Sequence, residues 1–587
     1  MTAASTRDQV ILYHNSASQW LHFKNPFQVI EVRKIEDVRT ALQDIEAQVR
    51  EQGRYAAGFI SYEASTAFDS AMRTKTTADF PLLWFGLYPA PERIQLPKPD
   101  FSAYSMGDWA PSIDKPGYFA VISRIKEHIH SGDTYQVNYT FLLRVPFSGD
   151  PRHLFLAMVR AQSPGYAAYV DTGQYAICSA SPELFFDLRG NRLVCKPMKG
   201  TVRRGRTLEE DESLARWLHQ SEKNRAENLM IVDMIRNDLG RVAVAGSVEV
   251  EKLFEVERHP TLWQMTSTIR AESSTSLTDI LAALFPCASI TGAPKVRTTR
   301  IIADLERTGR NIYTGCIGFI GPEPNAQFNV AIRTAVVDRR NKKVEYGTGG
   351  GIVWDSAHKD EYSEAILKAR VLTLQRPDFS LLETLLWTPD EGYFLLDYHM
   401  KRLADSASYF DYPADIRQII STLHAKAAGF SGGDQKVRLL VDRCGSIEIQ
   451  HSPLIPGQTS RTLNVKLAER PVDTTDIFLF HKTTFRHTYE SALRDYPECD
   501  DVLLWNESGE LTESTVANIV AEIEGELYTP PVSAGLLAGT FRARLLEQGK
   551  IRQRTLPVSD MKRYGKIYLI NSVRKWQEAA VINRNKR

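Results

Sequence analysis

The chain has 587 residues, room for two large domains or several ordinary ones. Hydrophobic residues at 43% and charged residues at 24% give the balance of a soluble globular enzyme, and a formal net charge of +1 excludes a bulk electrostatic pull toward nucleic acid or an anionic membrane. No apolar stretch is long enough to span a bilayer, the N-terminal MTAASTRDQVILYHNS lacks the parts of a secretory signal, and six scattered cysteines without CxxC pairs read as reduced thiols, so a cytoplasmic protein is expected.

In chain order, Val38 to Arg50 has the pattern of a helix, and Ala56 to Tyr62 and Leu82 to Tyr88 those of strands. Pro89 to Pro116 is rich in proline and polar residues and reads as a connector. Tyr118 to His130 predicts a helix, Gln136 to Val145 a strand, and Leu208 to Leu239 a long helical region with room for one break. Val344 to Trp354 is a strand containing glycines, followed by a helix over Lys359 to Leu374. The proline-bearing Gln375-Arg376-Pro377-Asp378 then interrupts the pattern before a fresh strand at Phe379. This predicts two domains, 1–375 and 376–587, in an α/β protein of the α+β type.

On the helix from Lys359, Glu361 and Glu364 point from one face, with Lys368 one turn beyond Glu364. A second helical stretch offers Glu227. Carboxylates from two helices, with positions left for water, suit magnesium that must also meet a substrate carboxylate; they equally suit solvated helix faces. The run Tyr346-Gly-Thr-Gly-Gly-Gly351 could turn backbone N–H groups to an anion or form a turn or bulge, and it is no P-loop because no Gly-Lys-Ser/Thr follows.

Residues of about 115 to 370 carry a series of blocks in order. They are Gly132-Asp-Thr-Tyr-Gln-Val-Asn138, Ser181-Pro-Glu183, Lys196-Pro-Met-Lys-Gly-Thr201, the stretch from Glu227 to Gly240, Ser289-Ile-Thr-Gly-Ala-Pro-Lys295, Tyr313-Thr-Gly315, Ala331-Ile-Arg333, and the glycine strand with its Glu361/Glu364 helix. With these the region resembles the chorismate-utilising family, which includes anthranilate, aminodeoxychorismate, isochorismate and salicylate synthases. The resemblance implies a large sandwich of antiparallel sheets with outer helices. It implies magnesium at Glu227 and Glu364 with Glu361 close behind. It also implies a substrate carboxylate at Arg333 and Tyr313, supported by Gly200, Thr201 and the N–H groups of Gly349, Gly350 and Gly351.

Two positions choose among the relatives. Lys199 resembles the aminodeoxychorismate branch, where a lysine attacks chorismate as its hydroxyl leaves; anthranilate synthases carry alanine there. Such a lysine must be partly deprotonated, which burial near other cations promotes. Gln136 stands where water-adding relatives have a lysine, and a neutral amide cannot activate water. Gln264 occupies the place of a frequent family histidine. No Gly-x-Cys-x-Gly elbow occurs, and Cys444 lacks that context, so ammonia is expected from solution or from a separate glutamine amidotransferase subunit.

From Phe379 the blocks change to Leu382-Glu-Thr-Leu385, His399-Met-Lys-Arg-Leu403, Lys482-Thr-Thr-Phe-Arg486, Leu511-Thr-Glu-Ser-Thr-Val-Ala-Asn518 and Leu537-Ala-Gly-Thr-Phe-Arg542. These resemble the class IV fold of pyridoxal-phosphate enzymes. The resemblance implies that Lys482 bonds the cofactor aldehyde and shuttles protons, that Glu513 faces the pyridine nitrogen, and that Arg402, Gly539 and Thr540 meet the phosphate. It leaves a homodimer through this half open. Together the halves imply amination of chorismate to 4-amino-4-deoxychorismate, then elimination of pyruvate to 4-aminobenzoate, a folate precursor. The alternatives are a C-terminal branched-chain or D-amino-acid aminotransferase, and an N-terminal half like anthranilate synthase.

Overall fold

The computed structural model describes residues 7–76, 79–372, 377–455 and 461–582. The first six residues of the N-terminal segment and residues 373–376, at the expected domain junction, lie outside the described residues. The chain divides into two compact units, Met1–Arg203 with Ala215–Arg376, and Arg204–Leu214 with Pro377–Arg587.

The first unit contains two large antiparallel sheets. In one, the strands run in the order Gly292–Ala293, Gln136–Gly149, Lys343–Ile352, Thr334–Asp338, Tyr175–Ser179, Ala168–Asp171, Gln9–His14, Gln19–Phe23, Glu92–Ile94. The other begins with Met198–Arg203 beside Leu262–Glu272 and continues through Arg192–Lys196, Leu184–Arg189 and Asn325–Val330. Strands with one face toward the opposite sheet put bulky residues there. Leu12, Leu21 and Phe23 of one sheet meet Phe59, Trp84, Tyr88 and Phe319 of the other in a buried middle layer. Helices cover the outer faces. On Val38–Gln52 the buried residues Val38, Leu42, Ile45 and Val49 form one stripe, and the helix ends at Gly53, whose φ of 64° needs no Cβ to avoid.

The expected helices and strands are present, with three differences. The expected connector supplies the short strands Glu92–Ile94, Tyr104–Met106 and Ala110–Pro111, which pair on the first sheet. Strands of two or three residues leave too little periodicity to read. The long helical region divides into Leu208–Gln220 and Glu222–Gly240, where the Ser221 side chain accepts from Asn224 N and caps the second helix. The helix after the glycine strand spans His358–Ala369 and tightens to a 3-10 turn over Arg370–Leu372.

The second unit has a four-stranded antiparallel sheet, Gly392–Tyr393, Leu381–Thr388, Gln435–Val441 and Ile447–Pro453, packed on the helices Leu396–Phe410 and Ile416–Ala427. A second, eight-stranded sheet mixes parallel and antiparallel pairs, and an extra pairing of Glu513 with Asn518 joins two of its strands. Among the described residues no helix is long and apolar enough to cross a membrane.

Candidate active sites

Sheet register builds the first site. Lys343–Ile352 lies antiparallel to Gln136–Gly149, pairing Gly349 with Thr140, Gly350 with Tyr139 and Gly351 with Asn138. This sets the glycine run beside Gln136. A methyl group on Gly351 would lie 2.7 Å from Lys199 Nζ and 2.9 Å from Gln136 Nε2. Only a residue without a side chain leaves both groups their place. Gln136 is fully buried, and neither atom of its amide has a hydrogen-bond partner among the described residues. A buried amide with all its hydrogen bonds unmade is costly, and a polar ligand entering the site would satisfy it.

Lys199 is set in place by its own backbone, since its carbonyl accepts from Asn228 Nδ2 at 3.4 Å, and Ser267 Oγ in turn donates to Asn228 Oδ1 at 2.5 Å. Burial lowers the Lys199 pKa, and the Lys368 ammonium adds to this against the opposing pull of Glu227, Glu183 and Glu364. An amine so placed is a better nucleophile than a surface lysine.

The expected magnesium ligands lie around the same space, but not as a finished cluster. Among the described residues no group of three His, Cys, Asp or Glu is gathered to hold a metal. Glu364 is half exposed and pairs with Lys368 Nζ at 2.8 Å; the same ammonium donates to Gly349 O at 3.0 Å. Burial and the Glu364 charge hold the Glu361 pKa above its usual range, against the opposing pull of a Ser356 hydrogen bond and the Lys368 and Lys223 ammonium groups. Glu227 and Glu364 both act electrostatically on Lys199. This donor set fits magnesium, which takes one or two protein carboxylates and completes its shell with water and substrate oxygens.

The substrate-binding candidates also stand here. The Tyr313 ring lies against Gly347, where a methyl would come within 2.1 Å of it. Arg333 adopts φ 49°, donates to Gln162 Oε1, and among the described residues pairs with no carboxylate. A largely enclosed guanidinium without a counter-ion is suited to a substrate carboxylate. Gly200 has φ 91° and packs on Asn224. Gln264 Nε2 donates to Gly200 O at 2.8 Å and Thr201 Oγ1 donates to Gln264 Oε1 at 3.1 Å, so this residue clamps the strand that carries Lys199.

One functional candidate escaped the sequence reading. Glu183 stood in a quoted block without a role. It is buried, accepts from Ser289 Oγ at 2.6 Å, and its pKa is pushed up to about 7 by burial despite the hydrogen bond and the nearby Lys199 and Arg333. A carboxyl that keeps its proton near neutrality can donate it. The signal was Ser181-Pro-Glu183 itself, but its burial cannot be read from one sequence.

The second site is a cavity of about 530 Å³ lined by Lys482, Glu513, Arg402, Asn518, Gly539 and Thr540, among others. The Lys482 pKa is lowered to about 8 by burial and by Arg402. Glu513 accepts from Tyr489 Oη at 2.7 Å and Leu537 N at 3.1 Å, while burial pushes its pKa up to about 7. Tyr489 is a further residue the sequence reading missed. The helix Thr540–Glu547 opens on the cavity at its N-terminus, and a methyl on its cap Gly539 would strike Asn518 Oδ1 at 1.9 Å. Arg402 faces the cavity with part of its fork already used. Nε and one terminal nitrogen bond Glu383 at 2.9 and 2.6 Å, and Glu383 also bonds His399 Nδ1 at 2.7 Å. An amine of lowered pKa, a buried carboxyl and a helix N-terminus around one cavity fit pyridoxal phosphate.

Residues 4–374 match the family described as chorismate binding enzyme, and residues 380–582 match amino-transferase class IV, whose fold implies pyridoxal phosphate. Aminodeoxychorismate synthase component 1 of Bacillus subtilis is 39% identical over 265 residues, 45% of this chain and 56% of that protein. The protein of the same name in Escherichia coli is 41% identical over 281 residues, 48% of this chain and 61% of its own length. The matched stretch thus spans a little over half the length of these relatives. In fold, the crystal structure of anthranilate synthase component I from Streptococcus pneumoniae superposes with a TM-score of 0.53 at 24% identity, covering 64% of this chain and 94% of that one. The family match takes in well over half of the sequence, and the chain belongs to the chorismate binding enzymes, with a class IV amino-transferase domain following in the same polypeptide.

Proposed function

We propose that the chain aminates chorismate to 4-amino-4-deoxychorismate in its first unit and converts that product to 4-aminobenzoate and pyruvate in its second. The observation that carries this reading is the meeting of Lys199 Nζ with the unpartnered Gln136 amide over Gly351. A nucleophilic amine is thereby paired with a neutral group that cannot act as a base toward water.

Arg333 and Tyr313 receive the substrate carboxylate, with the Gly349 to Gly351 backbone alongside. Glu227 and Glu364, with Glu361 behind, would hold magnesium, which supplies positive charge against the anionic substrate. The Lys199 amine forms a bond to the ring as the C–O bond breaks, and Glu183 gives its proton to the departing hydroxyl, which leaves as water. Ammonia then bonds the carbon para to the carboxylate as the Lys199–carbon bond breaks; it gives up one proton, which restores the Glu183 acid, and the lysine is restored. The ammonia comes from solution or from a separate glutamine amidotransferase subunit.

In the second unit, Arg402 and the N-terminus of Thr540–Glu547 would hold the phosphate of pyridoxal phosphate, Glu513 its ring nitrogen and Lys482 its aldehyde. The bound cofactor supplies an electron sink for the carbon that bears the amine. Lys482 takes the proton from that carbon, and the ring becomes aromatic as enolpyruvate departs. Glu513, held by Tyr489 and Leu537 N, keeps a proton available to the ring nitrogen.

Product analysis with chorismate, an ammonium salt, magnesium and pyridoxal phosphate tests the reading. It requires 4-aminobenzoate and pyruvate in equal amounts without 2-oxoglutarate. Anthranilate as product, or a requirement for an amino acceptor, contradicts it.

A further inference from the structure

Among the described residues, the cavity of the second unit is lined by seven lysine and arginine side chains and one carboxylate, Glu513. Four of the seven have work within the site already described. Lys482 and Arg402 have cofactor assignments, Arg486 donates to Thr515 O, and Arg542 donates to Thr529 Oγ1 and Pro530 O. Lys436, Arg438 and Arg574 remain. No side-chain hydrogen bond or ion pair joins any of these three to another described residue.

Their placement is built. Lys436 and Arg438 alternate with the buried Val437 and Leu439 on the strand Gln435–Val441, so both project from the face opposite the core. Arg574 comes from a different element, the turn between Ile567–Asn571 and Lys575–Val581. There Asn571 Oδ1 accepts from Val573 N and Arg574 N at 3.0 and 2.8 Å. All three residues are exposed. Here two elements bring three like charges to one cavity wall, and burial together with Arg574 and Arg438 lowers the Lys436 pKa. Folding leaves that repulsion in place, and a bound anion would relieve it.

We infer that Lys436, Arg438 and Arg574 form the substrate-recognition wall of the second site, and that it takes a substrate bearing two carboxylates. The inference rests on the two-step reading, whose intermediate carries a ring carboxylate and an enolpyruvyl carboxylate. A substrate with a single carboxylate and an apolar side chain needs one cation and an apolar wall. Three unpaired cations in that position disfavour such a substrate.

The test uses the full chain loaded with pyridoxal phosphate and supplied with 4-amino-4-deoxychorismate, following pyruvate release. Lys436→Met, Arg438→Met and Arg574→Met should each raise KM about tenfold or more, with kcat and the visible absorption of the bound cofactor little changed. Lys436→Arg should keep KM near the wild-type value. The wild-type chain provides a second arm that needs no variant: its KM should climb as salt is raised from about 0.02 to about 0.4 M, because screening weakens attraction to a dianion. Variants with unchanged KM, or a wild-type KM indifferent to salt, overturn the assignment while pyruvate release leaves the lyase reading standing. A wild-type chain that releases no pyruvate and transaminates a monocarboxylic amino acid overturns both.

Discussion

Gln136 and Lys199, 63 residues apart in sequence, share the space over the bare Cα of Gly351, one side chain from each of the two sheets of the first unit. Neither could stay if that residue had a Cβ. Gly351→Ala should therefore lower chorismate amination by about 100-fold through misplacement of the amine. It should leave 4-aminobenzoate formation from supplied intermediate unchanged. Steady-state assays of the two half-reactions check this.

The Glu183 carboxyl, with its pKa pushed up to about 7, should make amination fall as pH rises past neutrality, since the acid form is the donor. Glu183→Gln should lose the amination step at every pH. Its stability should move the other way. The folded pKa lies above the ordinary 4.5, so the native state holds a proton that the unfolded chain releases. That contribution is fully present below about 4.5 and is lost as pH rises through about 7. The glutamine variant lacks the loss, and should gain up to about 3 kcal/mol relative to wild type at pH 8 over pH 4.5. Urea unfolding at the two pH values measures the difference.

Lys482, lowered to about 8, should bond pyridoxal phosphate with a rate that rises between about pH 7 and 9, well below the range of an ordinary lysine. Stopped-flow absorbance of cofactor uptake gives the profile. Lys482→Ala should show no borohydride-stable attachment of the cofactor. Attachment at another lysine contradicts the assignment.

Much of this was legible in the sequence because the motifs are local. The glycine strand, the Glu361/Glu364 helix and the block around Lys482 each lie within one element, so spacing places them. What could not be read depends on burial and on distant partners. Glu183 acquires its character from enclosure, against the hydrogen bond from Ser289, over a hundred residues away. Gln264 looked like a lost histidine, whereas in the fold its amide clamps Gly200 and Thr201 across the sheet. The sequence assigns Arg402 to a phosphate but does not reveal Glu383, which holds two of its nitrogens. Ion pairs between elements leave no periodic trace.

If, as proposed, two independent sites act in series through a released intermediate, separate variants divide the reaction between them. Glu364→Gln should stop amination of chorismate and keep lysis of supplied 4-amino-4-deoxychorismate, because Glu364 belongs to the first site alone. Glu513→Ala should do the reverse and let the intermediate accumulate. The decisive measurement is 4-aminobenzoate formed from chorismate, ammonium, magnesium and pyridoxal phosphate by each variant alone and by the two mixed. Either variant alone should form none, and the mixture should recover it. A folded, cofactor-loaded single variant that loses both half-reactions, or a mixture that stays inactive, would contradict it.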